Sequence, residues 1–325
     1  MNGRTKGWLS MRARLDRRPG GYRAVDVGDD SRLDEQSTMN SSGHLIAGLP
    51  MYDWPEVADD VDRLWSAIRA AAHEAGVSVP DRLTRTESLV ELWSDPSMIL
   101  GQVCSLNPVR DGLGETEVIG TIVYEPSPGL PDAESGTYYS VLVARADDDR
   151  CADLGADGVG SGAANGSIRR FTGASVAANG TDSQSGYWSL GHFVRDQLTD
   201  GPIFENMVFT GAHRESVRAV ADGRADIAAI DVHSWRLATE YEPASSDLNV
   251  IGTTTPTPGV VCVVSWELKQ HHAALDAALA AALDSIAGTD TAARLHISGY
   301  RSRRLEEFRV VADQVEHTAR HPWHR

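Results

Sequence analysis

Residues Val208–Asp231 read VFTGAHRESVRAVADGRADIAAID. The opening apolar run fits a strand, Gly211 and Ala212 a turn, and the next stretch a helix with Val217, Val220 and Ala221 on its inner face. Gly223 is placed to stop that helix, and Ala225–Ile230 then reads as a buried strand closed by Asp231. This is the strand–helix–strand alternation of an α/β sheet, and it puts His213 and Asp231 at the carboxyl ends of strands, where open α/β sheets bind ligands. Each residue also has a purely structural reading, His213 as a turn residue and Asp231 as the cap of the following helix.

The same alternation extends outward. Leu45–Leu49 reads as a strand, and Val57, Val61, Leu64, Trp65, Ile68 and Ala72 fall on one face of a helix stopped at Gly76. Asp53 and Glu56 have capping-box spacing in front of it. Further strands are expected at Glu117–Tyr124, Tyr138–Arg145, Gly173–Ala178, Asn206–Thr210, Leu248–Thr253 and Val260–Val264. Helices are expected at Gly186–Leu198, Arg214–Asp222, Val232–Glu240 and Glu267–Ile286. The Gly-, Pro-, Asp- and Ser-rich stretches Pro126–Gly136 and Asp147–Gly166 read as loops. Between the strand ending at Ala178 and the helix near Tyr187, the segment Asn179–Gly186 is dense in hydroxyls and glycine. A strand end, such a loop and a helix N-terminus together offer unpaired N–H groups and a positive dipole end to an oxyanion; equally, Ser183 or Ser185 could simply cap the helix.

Composition narrows the function. The chain has 325 residues, 41% of them hydrophobic, enough for about two domains. With 30 Lys+Arg against 46 Asp+Glu the formal charge is −16, which repels polyanions and argues against nucleic-acid or anionic-membrane binding. Only Lys6 and Lys269 are lysines, and neither has a phosphate-loop context, so a P-loop NTPase is excluded. Cys104, Cys151 and Cys262 are widely spaced, which indicates no disulfide framework or zinc ribbon; Cys262, within a run of valines, reads as a buried apolar residue. No stretch reaches the roughly 18 apolar residues of a membrane span. Residues 1–43 are polar and aperiodic and read as an extension outside the fold, disordered or due to a wrongly placed start, with Met39 as an alternative start; no export signal or lipoprotein cysteine is recognised there.

Four motifs in order, Leu49–Asp53, Asp182–Gly186, Thr210–Asp231 and Thr255–Gly259, resemble the phosphate/phosphite/phosphonate (PhnD-like) substrate-binding proteins of ABC transporters, over roughly Leu45 to His321. The resemblance implies the α/β, two-lobed type 2 periplasmic-binding-protein fold, each lobe a mixed sheet flanked by helices, with a hinge crossed twice. Lobe one would comprise 44–139 plus 251–325 and lobe two 140–250. It also implies an anion held at Ser183, Ser185 and Gly186, with His213 as a further donor and Tyr52 approaching from the other lobe. A carboxylate at Asp231 in an anion site suggests a zwitterionic ligand whose ammonium it meets, such as an aminoalkylphosphonate.

The expected protein is a monomer that captures a small anionic or zwitterionic ligand for ABC-type uptake or sensing, with an ABC permease as the partner in transport. As written it is cytoplasmic; with a different start it is periplasmic or at the cell surface. No cofactor and no metal are assigned. The alternative is an enzyme on the same fold, since Ser185, His213 and Asp231 resemble a relay, although the order and the flanking residues are not those of α/β-hydrolases. Arg110 is a candidate extra cation and Gln102–Cys104 a candidate cleft lining. His317, His321 and His324 lack an accompanying acid or cysteine cluster and read as a polar C-terminal tail.

Overall fold

The computed structural model describes residues 44–110, 115–151, 168–197 and 201–325. Residues 1–43, and most of the loop expected at Asp147–Gly166, lie outside them.

β1 (Ile46–Gly48) leads through a 3-10 turn at Pro55–Val57 into α1 (Ala58–Glu74), and the six apolar residues that the periodicity put on one face are all buried, Val57 in the turn and the other five in α1. Gly76, at φ 76°, takes the left-handed conformation that ends the helix. The short α2 (Leu89–Ser94) precedes β2 (Met98–Val103), and β3 (Thr116–Tyr124) follows. The run read as one strand, Tyr138–Arg145, is two: β4 (Thr137–Tyr138) and β5 (Ser140–Arg145). Then come β6 (Ser175–Ala178), a π turn at Gln184–Trp188, α3 (Ser189–Gln197), β7 (Asn206–Phe209), α4 (His213–Ala221), β8 (Ile227–Asp231) and α5 (Val232–Tyr241). The remainder is β9 (Leu248–Thr253), β10 (Thr257–Pro258), β11 (Val261–Ser265), α6 (His272–Ile286), α7 (Asp290–Arg294), β12 (Ile297–Ser302) and α8 (Arg309–Arg320).

The strands make two five-stranded sheets, ordered β1-β2-β11-β3-β12 and β7-β6-β8-β5-β9, both mixed in direction. Chain connections between them run through Tyr139 and through the segment after Thr253, where β4 and β10 form a two-residue ribbon. Each sheet is covered on both faces. In β11 the alternation is visible residue by residue, with Cys262 and Val264 facing α1 and α6 while Val261 and Val263 face α2 and α8. Cys262 is fully buried as expected, and burial pushes its thiol up to about 12.

Two expectations need correcting. Asp53 and Glu56 form no capping box: Trp54 occupies the cap position, Asp53 accepts from Arg85 Nε at 2.6 Å, and Glu56 pairs with Arg214. A guanidinium within reach offers each carboxylate a charge-assisted bond stronger than a cap. The C-terminal segment is no polar tail: α8 buries Val311, Ala312 and Val315 with Phe308 against the first sheet, and Trp323 is buried in the core of the second. There Ile203 donates its N–H to the Trp323 carbonyl, Arg325 donates to the Phe204 carbonyl, and His324 Nε2 meets Tyr187 Oη at 2.7 Å.

Candidate binding site

The first group of residues singled out from sequence gathers at the N-terminus of the π turn. β6 ends at Ala178, the chain turns through Asn179–Asp182, and Ser183 in extended conformation accepts the Gly186 N–H at 2.9 Å. Ser183 therefore does serve as the cap. Position 186 requires glycine, since a Cβ there would lie 2.7 Å from Asn179 Oδ1 and 3.0 Å from Ser183 Oγ. Ser185 is buried, with Oγ 2.8 Å from His213 Nε2 and its carbonyl held by the hydroxyls of Ser140 and Ser189. Gly211, at φ 84°, makes the turn that presents His213 in the first turn of α4. Burial pushes the His213 imidazole down to about 3, with the Ala229 carbonyl pulling the other way. The ring is thus neutral at ordinary pH, and the Ser185–His213 pair shares a proton that can be redirected to a ligand oxygen. The Gln184 N–H points across the seam at Cys104 Sγ, 3.3 Å away, and burial raises that thiol so that it stays neutral.

The second pair spans the seam. Tyr52, delivered by the loop after β1, donates its hydroxyl to Asp231 Oδ2 at 2.9 Å. Asp231 Oδ1 also accepts the N–H groups of His233 and Ser234, at 2.9 and 2.8 Å, so it caps α5 as well. Burial drives its carboxyl up to about 6, against the pull of the Ser234 N–H and then of the Tyr52 hydroxyl. Burial likewise raises Tyr52. The Tyr52 ring packs edge-on against Tyr124 and His233, with centroids 5.0 and 4.4 Å apart. Two cavities adjoin these rings. One, of about 20 Å³, is lined by Tyr52, Gln102, Tyr124 and His233 among others, and one of about 70 Å³ lies under the loop 126–136.

The six residues singled out from sequence thus fall into two groups. Ser183, Ser185, Gly186 and His213 meet at one helix end, while Tyr52 and Asp231 meet each other. No hydrolase-type relay is assembled, because the hydrogen bonds of Asp231 go to Tyr52, His233 and Ser234 and none goes to His213. Of the segment Gln102–Cys104 only Gln102 lines a cavity, the smaller one, while Cys104 faces the Gln184 N–H instead. Arg110 is half-buried behind the turn Asn107–Val109 and does not line either cavity. The His192, His317 and His321 rings stand in a row, 5.8 and 5.6 Å apart, while His324 lies apart at Tyr187; no metal-holding group occurs among the described residues. Sequence reasoning missed Ser140, whose local signal was a hydroxyl just ahead of the apolar run Val141–Ala144, and it missed the cross-seam partners Glu56 and Arg214, which are 158 positions apart.

Residues 122–308 match the model of the family described as ABC transporter, phosphonate, periplasmic substrate-binding protein. Among solved structures, the chain is similar to a binding-protein component of an ABC phosphonate transporter from Pseudomonas aeruginosa (14% identity, 81% of this chain and 83% of that one, TM-score 0.57). It is also similar to PhnD1 from Prochlorococcus marinus, solved with methylphosphonate (13%, 80% and 93%, TM-score 0.59), and to a Xanthomonas citri protein bound to chloride (12%, 85% and 98%, TM-score 0.58). These likenesses show the type 2 periplasmic-binding-protein fold. No curated protein matches the chain. No described helix is long and apolar enough to cross a membrane. The match covers more than half of the chain and includes the Ser183–Gly186 and His213–Asp231 segments, so this protein belongs to the phosphonate ABC-transporter periplasmic substrate-binding family.

Proposed function

We propose that the two sheet bodies are the lobes of a clamp that captures a small phosphorus oxyanion, in the class of phosphonate, phosphite or phosphate, between them. Ser183, Ser185, Gly186 and His213 hold the anionic group, and Tyr52 closes over it from the other lobe. The observation that carries this reading is the partly buried Ser185–His213 pair at a helix N-terminus, where neutral donors and a positive dipole end serve an anion. The net charge of −16 does not oppose it, because exposed charges are screened beyond about 8 Å at physiological ionic strength. Asp231 already accepts three protein donors, so a ligand ammonium would reach it by displacing the Tyr52 hydroxyl. The protein works outside the cytoplasm beside an ABC permease and delivers its ligand unchanged.

The test is calorimetric titration of the full chain with phosphate, phosphite, methylphosphonate, 2-aminoethylphosphonate, sulfate and taurine. One-to-one binding of a phosphorus oxyanion is expected, with sulfate and taurine weaker. Binding confined to sulfur oxyanions, or none across the panel, overturns the reading. A preference for 2-aminoethylphosphonate over methylphosphonate that disappears in Asp231→Asn would give Asp231 the ammonium.

A further inference from the structure

We propose that Arg214, gripping Glu56 across the seam, is the positioning residue that sets how firmly the two lobes stay closed on a ligand; this rests on the clamp reading above. Arg214 follows His213 on α4 of the second body, and Glu56 lies in the turn before α1 of the first. The guanidinium meets both Glu56 oxygens, Nη2 to Oε1 at 2.9 Å and Nη1 to Oε2 at 3.1 Å. Within its own body it is anchored separately, by Nε to Glu242 Oε2 at 2.7 Å and Nη2 to the Tyr241 carbonyl at 3.2 Å. Glu242 is itself buried and is also held by Arg218. The fork is thus aimed before the lobes meet, so closing costs little side-chain order and the bidentate geometry is available at once.

The partner side is equally fixed. Asp53 is tied to Arg85, the Glu56 carbonyl to Arg294, and Trp54 lies under the guanidinium, 4.6 Å from ring centroid to Cζ, while packing against the cores of both bodies. One short segment therefore carries two contacts across the seam: Tyr52 to Asp231 and, four positions on, Glu56 to Arg214. The first is buried beside the cavities. The second is partly exposed, with 32% of the Glu56 side chain accessible, and the Arg214 side chain bonds Glu56, Glu242 and Tyr241 and none of the residues proposed to hold the anion, although it follows His213 in the chain. Its effect on a ligand acts through the closed population alone: apparent affinity scales with the fraction of closed protein, and losing the pair speeds release.

The experiment uses two lobe markers, spin labels at Asp284→Cys on α6 and Asp222→Cys after α4, both exposed, in a chain whose own three cysteines are buried. In the ligand-free protein, Glu56→Gln should shift the interlabel distances to longer values relative to wild type. With methylphosphonate, it should raise the release rate about tenfold while the association rate stays within about twofold. Wild-type release should quicken between about 0.05 and about 0.5 M salt, and release from Glu56→Gln should not. Glu56→Asp, which keeps the charge on a shorter arm, and Arg214→Lys, which loses the fork, should fall between. Unchanged distances with an unchanged release rate overturn the proposal, as does a fall in association rate alone. If wild type binds no methylphosphonate, the oxyanion reading fails, and the ligand-free distances still decide whether the pair holds the lobes together.

Discussion

The two ends of the seam treat hydrogen-bonding capacity in opposite ways. At the Tyr52–Asp231 end a buried carboxylate takes three donors supplied by the protein. At the Ser185–His213 end a hydroxyl and a neutral imidazole share one bond, on a helix end whose dipole faces the seam. On the proposed reading the saturated group serves the architecture, and the group with capacity to spare is the one offered to a ligand. That difference separates two roles that the sequence presented as one constellation.

The sharpest way to break the comparison is Asp231→Leu. It strands the Tyr52 hydroxyl and two backbone N–H groups, and unfolding in denaturant should show a loss of about 3–5 kcal/mol; a loss below about 1 kcal/mol would remove the structural role. Next, the Ser185→Ala/His213→Ala double variant should weaken methylphosphonate binding about 100-fold in calorimetry with little change in stability, since two hydrogen bonds to an anion are lost. Equal loss in Asp231→Asn would merge the two ends again.

A pH series sharpens the contrast because the signs differ. Asp231 has its folded value raised to about 6, so its contribution is fully present below the ordinary carboxylate range and is lost as pH rises through 6. His213 has its folded value lowered to about 3, so the stability linked to it is present above the ordinary histidine range and is lost as pH falls toward 3. Asp231→Asn should therefore gain on wild type by about 2–3 kcal/mol between pH 4 and pH 7, read as denaturation midpoints. His213→Gln should gain in the opposite direction, as the pH is lowered. The smallest effect is Tyr52→Phe, about 1 kcal/mol at neutral pH, since it deletes one donor of three.

What was legible in the sequence was whatever local chemistry decides. The α1 face, the Gly76 stop and the β6–turn–α3 motif depend on neighbours within a few positions, and they stand where periodicity and capping put them. β2 was missed because Gly101 and Gln102 interrupt its apolar run, and β12 because Ile297–Ser302 is mostly polar. The apolar face of α8 was hidden among arginines and histidines. In the site, the meeting of Ser185 and His213 was implied by the family resemblance, and their placement at neighbouring strand ends of one sheet is consistent with it. The Tyr52–Asp231 and Glu56–Arg214 contacts did not, because each joins residues far apart in the chain through the mutual placement of two sheets.

The packing of Trp323 also bears on how the molecule is made. The strands of the second sheet are complete at Thr253, yet its core includes an indole that follows seventy positions later, after the first sheet has received β11 and β12. Neither body can reach its final state as a unit emerging in order from the ribosome, since each waits for residues beyond the other. Assembly of both is thereby delayed to one late event, and a nascent chain stalled before Trp323 should remain sensitive to protease throughout residues 140–253.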